Sequence, residues 1–518
     1  MSSTTVSKEI NSMLTRTLKG TAIISIFTYL AIPLGYFIRV LYARVLTVEE
    51  FGLFYSILAL LGFISIFNDF GLSQALAHFL PKYISKKQYG KAKAIVIYAL
   101  SFQMGTAILI AFFLWFSAPY LATKFFRTNL AVILLRCFVA YFIAYNLTIT
   151  LVNLFRGFQE EKFYGSFESL RLSAILLLSI LTFIIPLKSI IYFALIWGLI
   201  PFLLACIYFV IFLKRHFEFI KTKPEFDLVI FKKIFKYALP VMIGTATSTI
   251  LLRLDVILLT YLRDVSHVGY YSIATSIASA IVSVVSALSM FLLPYISANL
   301  NKKTLLSKYI SLIFKAAFIF FLPITLIFFL FSKEAIIVLF SAKYLPAVHA
   351  LMILSLFAIF GCFNSLLSST IAGLGKPKIV MYATILGALA NAVIDILLIP
   401  KFGASGAAIG TGTVWLTVTC IGLFYLKKSL RITIKPIFNY RTILAGVIFA
   451  TSIFFLKKIL SMNIYLEATL ITAISFSIYF FLIDFFKVLK IKTAIHLFLN
   501  IIPHKQLLEK FKILNKRR

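Results

Sequence analysis

Seven ionisable side chains stand inside stretches of otherwise hydrocarbon sequence: Arg39, Asp69, Arg136, Arg253, Asp255, Lys315 and Asp395. A charge in an apolar helix is costly, so such residues face a polar cavity, pair with one another, or reach for an interface. Their types decide the chemistry on offer. Arginine presents a planar fork that takes an oxyanion bidentately, whereas lysine is a point charge. A cavity lined by Arg136, Arg253 and Lys315, with Arg39 at its mouth, suits a phosphate. It suits hydrophobic cations poorly, because those call for acidic and aromatic linings. These four are the candidate substrate-binding residues, and Asp255, Asp395 and Asp69 are candidates for ion coupling or interhelical pairing.

Each has a structural role as competitor. Arg39 lies near a helix end, where its stem can carry the charge to the headgroups, and Lys315 can do the same toward the opposite surface. Asp69, in "FNDFGLSQA", is placed to cap a helix or bridge to a basic loop. Asp395 is read first as an interhelical hydrogen-bond or ion-pair partner. Arg253 and Asp255 are two residues apart, hence about 200° apart around one helix, so one faces a cavity and the other a neighbour. The histidines (His78, His216, His267, His349, His496, His504) are scattered, and the four cysteines (Cys137, Cys206, Cys362, Cys420) all fall in apolar stretches. Buried thiols of that kind act as small apolar residues, so no disulfide, metal site or cofactor is expected.

The elements that must carry these charges are membrane helices. Hydrophobic residues make up 61% of the 518, with 55 phenylalanines, and apolar runs of about 20 residues recur, each long enough to cross a bilayer. The expected fold is an all-α membrane protein with about fourteen transmembrane helices. They fall near 20–43, 51–77, 93–119, 129–154, 164–186, 189–213, 237–262, 268–297, 305–331, 347–373, 377–400, 405–426, 439–460 and 464–487. Residues 1–19 are polar and lack an apolar h-region, so no cleaved signal peptide is expected.

An even count puts both termini on one side. With that side cytoplasmic, about 37 Lys and Arg fall on inner segments and helix ends, against about 11 outside. "KYISKKQYGKAK" (82–93), "KRHFEFIKTKPEFDLVIFKKIFK" (214–236) and the tail ending "LEKFKILNKRR" are then inside. The net charge of +34 is thereby spread over lipid-facing ends, which favours anionic headgroups over a nucleic-acid partner.

The sequence also repeats itself. "LYARVLTVEEFGLFYSILA" (41–59) aligns with "LTYLRDVSHVGYYSIATS" (259–276) on Gly52 and Gly269, with a one-residue gap. "FLPKYIS" (79–85) echoes "FLLPYIS" (291–297), and "RGFQEEKFYG" (156–165) matches "AGLGKPKIVMY" (372–382) in position. A rhythm shared over about 100 residues marks a duplication. The expected organisation is an N-terminal segment (1–19), a six-helix bundle (20–213), a basic linker (214–236), a second six-helix bundle (237–426), two further helices (427–488) and a basic amphipathic tail (489–518). Two like-oriented bundles related by an axis along the membrane normal are an architecture of alternating-access transporters.

Four segments carry a resemblance: "ARVLTVEEFGLF" (43–54), "DVILLTYLRDVSHVGYYSIA" (255–274), "STIAGLGKPKI" (369–379) and "NAVIDILLIPKFGASGAAIGTG" (391–412). With the fourteen spans, the chain resembles the oligosaccharide flippases, the polysaccharide transporter family of the multidrug/oligosaccharidyl-lipid/polysaccharide (MOP) exporter superfamily. The resemblance implies a MATE-like fold in the cytoplasmic membrane. It implies translocation of a polyprenyl-(pyro)phosphate-linked oligosaccharide for polysaccharide or glycoconjugate biosynthesis, with glycan polymerases or transferases as partners and a monomer as the working unit. In the last segment, Pro400 is expected to end a helix, Gly403 to supply the turn, and Gly406, Ala407, Ala408 and Gly410 to let two helices approach closely.

The alternative on the same fold is a cation-coupled multidrug exporter. A polyprenyl-dependent membrane enzyme belongs to a different class and needs acidic or histidine clusters in sizeable loops. Here "EEKFYGSFE" (160–168) reads as a helix-start charge pattern. "GLGKPK" lacks the spacing of a phosphate-cradling loop. A transporter, not an enzyme, is the expectation.

Overall fold

The structure, a computed structural model, describes residues 3–183, 189–289, 292–433, 437–459, 464–486 and 488. The amphipathic tail expected at 489–518 lies outside them. Eighteen α-helices are described: α1 Ser3–Val45, α2 Val48–Asp69, α3 Leu72–Ser85, α4 Tyr89–Leu121, α5 Leu130–Gly157, α6 Glu161–Ile180, α7 Ile190–Arg215, α8 Phe217–Lys221, α9 Leu228–Leu262, α10 Val265–Ser289, α11 Leu292–Ala298, α12 Lys303–Leu330, α13 Ser332–Leu339, α14 Val348–Gly373, α15 Pro377–Phe402, α16 Ala404–Leu430, α17 Tyr440–Ile459 and α18 Ile464–Phe485. No strand occurs among the described residues. Twelve described segments are helical and apolar enough to cross a bilayer. With α9, whose first turns carry Lys232, Lys233 and Lys236, and α18, each of the fourteen expected segments contains a described helix. The protein is an all-helical, multi-pass membrane protein.

Local chemistry sets several boundaries. Thr47 and Glu50 start α2 with a reciprocal cap: Glu50 N–H donates to Thr47 Oγ1 at 3.2 Å, and Thr47 N–H donates to Glu50 Oε2 at 2.9 Å. The second expected span, 51–77, is not one helix. Phe70 (φ 47°) and Gly71 (φ 76°) both adopt left-handed backbone, which breaks it into α2 and α3. At Gly71 a Cβ would collide with the Ala238 carbonyl of α9, so glycine there serves both the turn and the close approach. Helix α15 outruns its expectation, continuing past Pro400 to Phe402. Proline removes one N–H from the ladder, but Gly403 N–H still reaches Ile399 O at 2.8 Å, and Gly403 (φ 54°) makes the turn.

The chain separates into two compact units, Met1–Gly269 and Tyr270–Arg518. In the first, Leu76, Phe79, Ile95, Phe155, Phe212 and Ile234 belong to one buried core. Most of the expected linker is ordered onto this unit. Glu225 N–H donates to Gly90 O at 3.1 Å and Lys93 Nζ to Thr222 O at 2.9 Å, while Ile230 and Ile234, one turn apart, start α9 against the core. Helix α9 then packs on α2, α3 and α4, so the boundary between the units falls after it. In the second unit, α10, α12, α14 and α16 enclose a core that includes Phe314, Phe363 and Leu367. Helices α17 and α18 add a further cluster against α12, where Tyr479 Oη donates to Ile319 O at 2.9 Å.

The duplication read from the sequence recurs as packing. In the first unit Gly157, at the end of α5, meets α3: a Cβ there would stand 2.6 Å from Leu80 of "FLPKYIS". In the second, Gly373, at the end of α14, meets α11: a Cβ would stand 3.0 Å from Ile296 of "FLLPYIS". The helix ends match bond for bond. Phe158 N–H donates to Leu154 O, Gln159 N–H to Arg156 O and Glu160 N–H to Phe155 O, just as Leu374 does to Thr370, Gly375 to Ala372 and Lys376 to Ile371. Gln159 (φ 60°) and Gly375 (φ 75°) are the paired left-handed residues.

Candidate functional site

The cations of the first unit gather on three supports. On α2, Tyr55 carries Arg39 of α1, whose guanidinium carbon lies 4.7 Å from the ring centroid. About two turns along the same helix, Gly62 makes room for Arg253 of α9: a Cβ at Gly62 would come within 3.1 Å of Arg253 Nε. Arg253 is exposed, and Tyr141, Tyr145 and Arg39 are among the groups whose charges act on it. On α5, Tyr141 and Tyr145 stack at 5.3 Å, one turn apart. The charge of Arg253 acts on both rings, as does that of a cation missed by the sequence reading, Arg171 of α6.

Arg171 is only 5% exposed. Its guanidinium lies 5.3 Å from the Tyr145 ring centroid and 5.1 Å from that of Trp197 on α7, contacts worth about 1–2 kcal/mol when desolvated. Glu168, three residues earlier on the same helix, accepts from Nε at 3.0 Å and from Nη2 at 2.6 Å. The sequence reading did not single out Arg171 among the intramembrane charges. The signal that finds it is the Glu-x-x-Arg spacing ten residues, about 15 Å, into a helix.

The other predicted residues lie elsewhere. Arg136 does not join Arg253. It is exposed on α5 and stacks on Trp115 of α4 at 5.1 Å, whereas Tyr145, nine residues on, points to the opposite side of the helix. Lys315, in the second unit, donates to the carbonyl of Val488, three residues past α18, and so ties α12 to the chain that follows that helix. Asp255 is buried while Arg253 is exposed, the divergence their spacing requires.

Asp69 is a structural knot: it accepts from Gly71 N–H at 3.2 Å, from Ser73 N–H at 3.2 Å and from the Ser73 hydroxyl. Gln103 Nε2 on α4 also donates to it at 2.7 Å, and Gln103 Oε1 accepts from Thr150 on α5. Asp395 is fully buried in the α15–α16 seam with Asn391, where a Cβ at Gly410 would overlap both side-chain oxygens. The small-residue approach expected there is present: Ala407 and Ala408 are buried, and a Cβ at Gly406 would lie 2.7 Å from the Leu398 backbone. Among the described residues no cluster of His, Cys, Asp and Glu is placed to hold a metal ion.

Comparison with known proteins agrees with this architecture. The model of the family described as polysaccharide biosynthesis protein matches residues 17–300, and that of the MatE family residues 240–397. An uncharacterized membrane protein of Methanocaldococcus jannaschii is 29% identical over 468 residues, 87% of this chain and 92% of that protein. A probable low-salt glycan biosynthesis flippase of Haloferax volcanii is 22% identical over 247 residues, 46% of this chain and 51% of that one. Among solved structures, the lipid II flippase MurJ in an inward closed conformation superposes with a TM-score of 0.73 at 18% identity, covering 90% of this chain and 98% of that one.

Proposed function

Because the chain belongs to the polysaccharide biosynthesis protein family of the MOP superfamily of membrane transporters, we propose that it is a flippase. Its substrate is an oligosaccharide linked to a polyprenyl (pyro)phosphate, moved across the cytoplasmic membrane by alternating access with both termini cytoplasmic. The observation that carries this reading is Arg253: an exposed guanidinium in the apolar part of a helix, set against Gly62 of α2, the helix whose Tyr55 carries Arg39. A phosphate accepts the hydrogen bonds of a guanidinium fork and balances the positive charge that Arg253 and Arg39 bring to α2. The polyprenyl tail stays in lipid, so only the charged headgroup needs a polar path.

Arg39→Ala and Arg253→Ala test the assignment. Purified protein in vesicles, given a labelled lipid-linked glycan, is expected to lose translocation by about tenfold or more in each variant, the loss of one charge-assisted contact. Folded protein in the membrane should be unchanged, and Arg253→Lys should retain part of the activity, because lysine keeps the charge without the fork. Full activity in both alanine variants would refute the reading. A multidrug exporter would instead carry cationic dyes, with the acidic lining that Arg253 and Arg39 do not supply.

A further inference from the structure

Arg171 lies beside this site and is not explained by it. Its guanidinium has two edges able to bind an oxyanion in parallel, Nε with Nη2 and Nη1 with Nη2. Glu168 uses the first, and Nη1 is buried without a hydrogen-bond partner. The pair is also lopsided. The Arg171 side chain is 6% exposed and that of Glu168 44%, so the carboxylate stands on the open side of the pair and the cation behind it. Tyr145 and Trp197 hold the guanidinium in place, leaving the carboxylate as the partner free to swing. One carboxylate leaves a buried donor unused; the three non-bridging oxygens of a terminal phosphate can serve both edges.

We propose that Glu168 is a displaceable internal counter-ion, and that Arg171 is a second phosphate subsite, filled by exchange of that carboxylate for a phosphate or diphosphate oxygen. Arg171 lies on Tyr145, which stacks on Tyr141, and the charge of Arg253 acts on both rings, which sets the two guanidiniums on one path. The source of the phosphate, a lipid-linked glycan, rests on the flippase reading above. At rest the pair is neutral, which lowers the cost of keeping Arg171 inside the membrane until substrate arrives.

Trp197 supplies the reporter. With Trp115 and Trp415 replaced by Phe it is the one tryptophan left of three, and its emission is read while a short polyprenyl pyrophosphate is titrated into the full-length protein in detergent. Glu168→Gln is expected to bind about tenfold more tightly, because the competing carboxylate is gone, and inorganic pyrophosphate should compete. A field effect alone would tighten Glu168→Gln/Arg171→Lys equally, since the charge is the same. A fork that holds the phosphate makes that double variant bind about tenfold more weakly than Glu168→Gln. Unchanged affinity in Glu168→Gln, or equal affinity in the single and double variants, overturns the subsite. Equal competition by phosphatidylglycerol also overturns it, by showing an unselective lipid-phosphate contact. If pyrophosphate binding responds as expected but no lipid-linked glycan is moved, the subsite stands and the flippase reading fails. If glycan moves while Glu168→Gln binds unchanged, the reverse holds.

Discussion

Two residues show how burial separates structural from functional charge. Asp69 accepts four hydrogen bonds from α3 and α4, so Asp69→Ala strands a buried amide and two backbone donors. The expected loss is about 2–4 kcal/mol, read as a lower melting temperature in detergent, with partial recovery in Asp69→Asn. Gly62 is the opposite case. It makes no bond through a side chain, yet a Cβ there would press on Arg253 Nε at 3.1 Å. Gly62→Leu should therefore displace the guanidinium, lowering transport several-fold while the melting temperature holds; a fall in both together would place Gly62 in the packing alone. The sequence counted both Asp69 and Arg253 as intramembrane charges and read Asp69 as a helix cap or a bridge to a basic loop. The first of these is the role it takes at the start of α3. What distinguishes them is the partner each meets, and partners lie on other helices.

At the scale of elements, the duplicated helix ends offer a controlled comparison. Gly375 and Gln159 occupy equivalent left-handed positions after α14 and α5, and a Cβ at Gly375 would meet nothing within 4 Å. The cost of Gly375→Ala is then purely conformational, about 1 kcal/mol, and Gln159→Gly should recover a similar amount in the other unit. Thermal denaturation of the two variants and their combination checks both signs. The α15–α16 seam is less forgiving, because Gly410→Ala forces a methyl against Asp395 and Asn391 in a buried site. Overpacking of that kind costs about 1–3 kcal/mol. The small residues of "GASGAAIGTG" made this seam legible in advance. The break at Phe70–Gly71 was not, since one glycine in an apolar run is compatible with a continuous helix, and only the backbone of α9 crossing at Ala238 requires the turn.

For the whole molecule, the distribution of Lys and Arg makes a topological prediction. In a background lacking the four native cysteines, Lys223→Cys should react with an impermeant thiol reagent only in inside-out vesicles. Lys401→Cys should react only in right-side-out vesicles; both side chains are exposed. Labelling from the reverse sides would invert the orientation and with it the direction proposed for transport.

By itself the sequence determined the membrane spans, their basic ends, the duplication and the close helix seam at Gly406 and Gly410. Each of these is a sum over neighbouring residues: transfer free energy along about 20 positions, or backbone freedom at one glycine. The tertiary structure alone decided which charges share surroundings. It set Arg253 against Gly62 and Arg39 on Tyr55 of the same helix, set Arg171 between Tyr145 and Trp197, left Arg136 on Trp115, and assigned Lys315 to Val488. A span's hydropathy is indifferent to rotation about its own axis. The direction in which a charge points is fixed only when neighbouring helices pack against it.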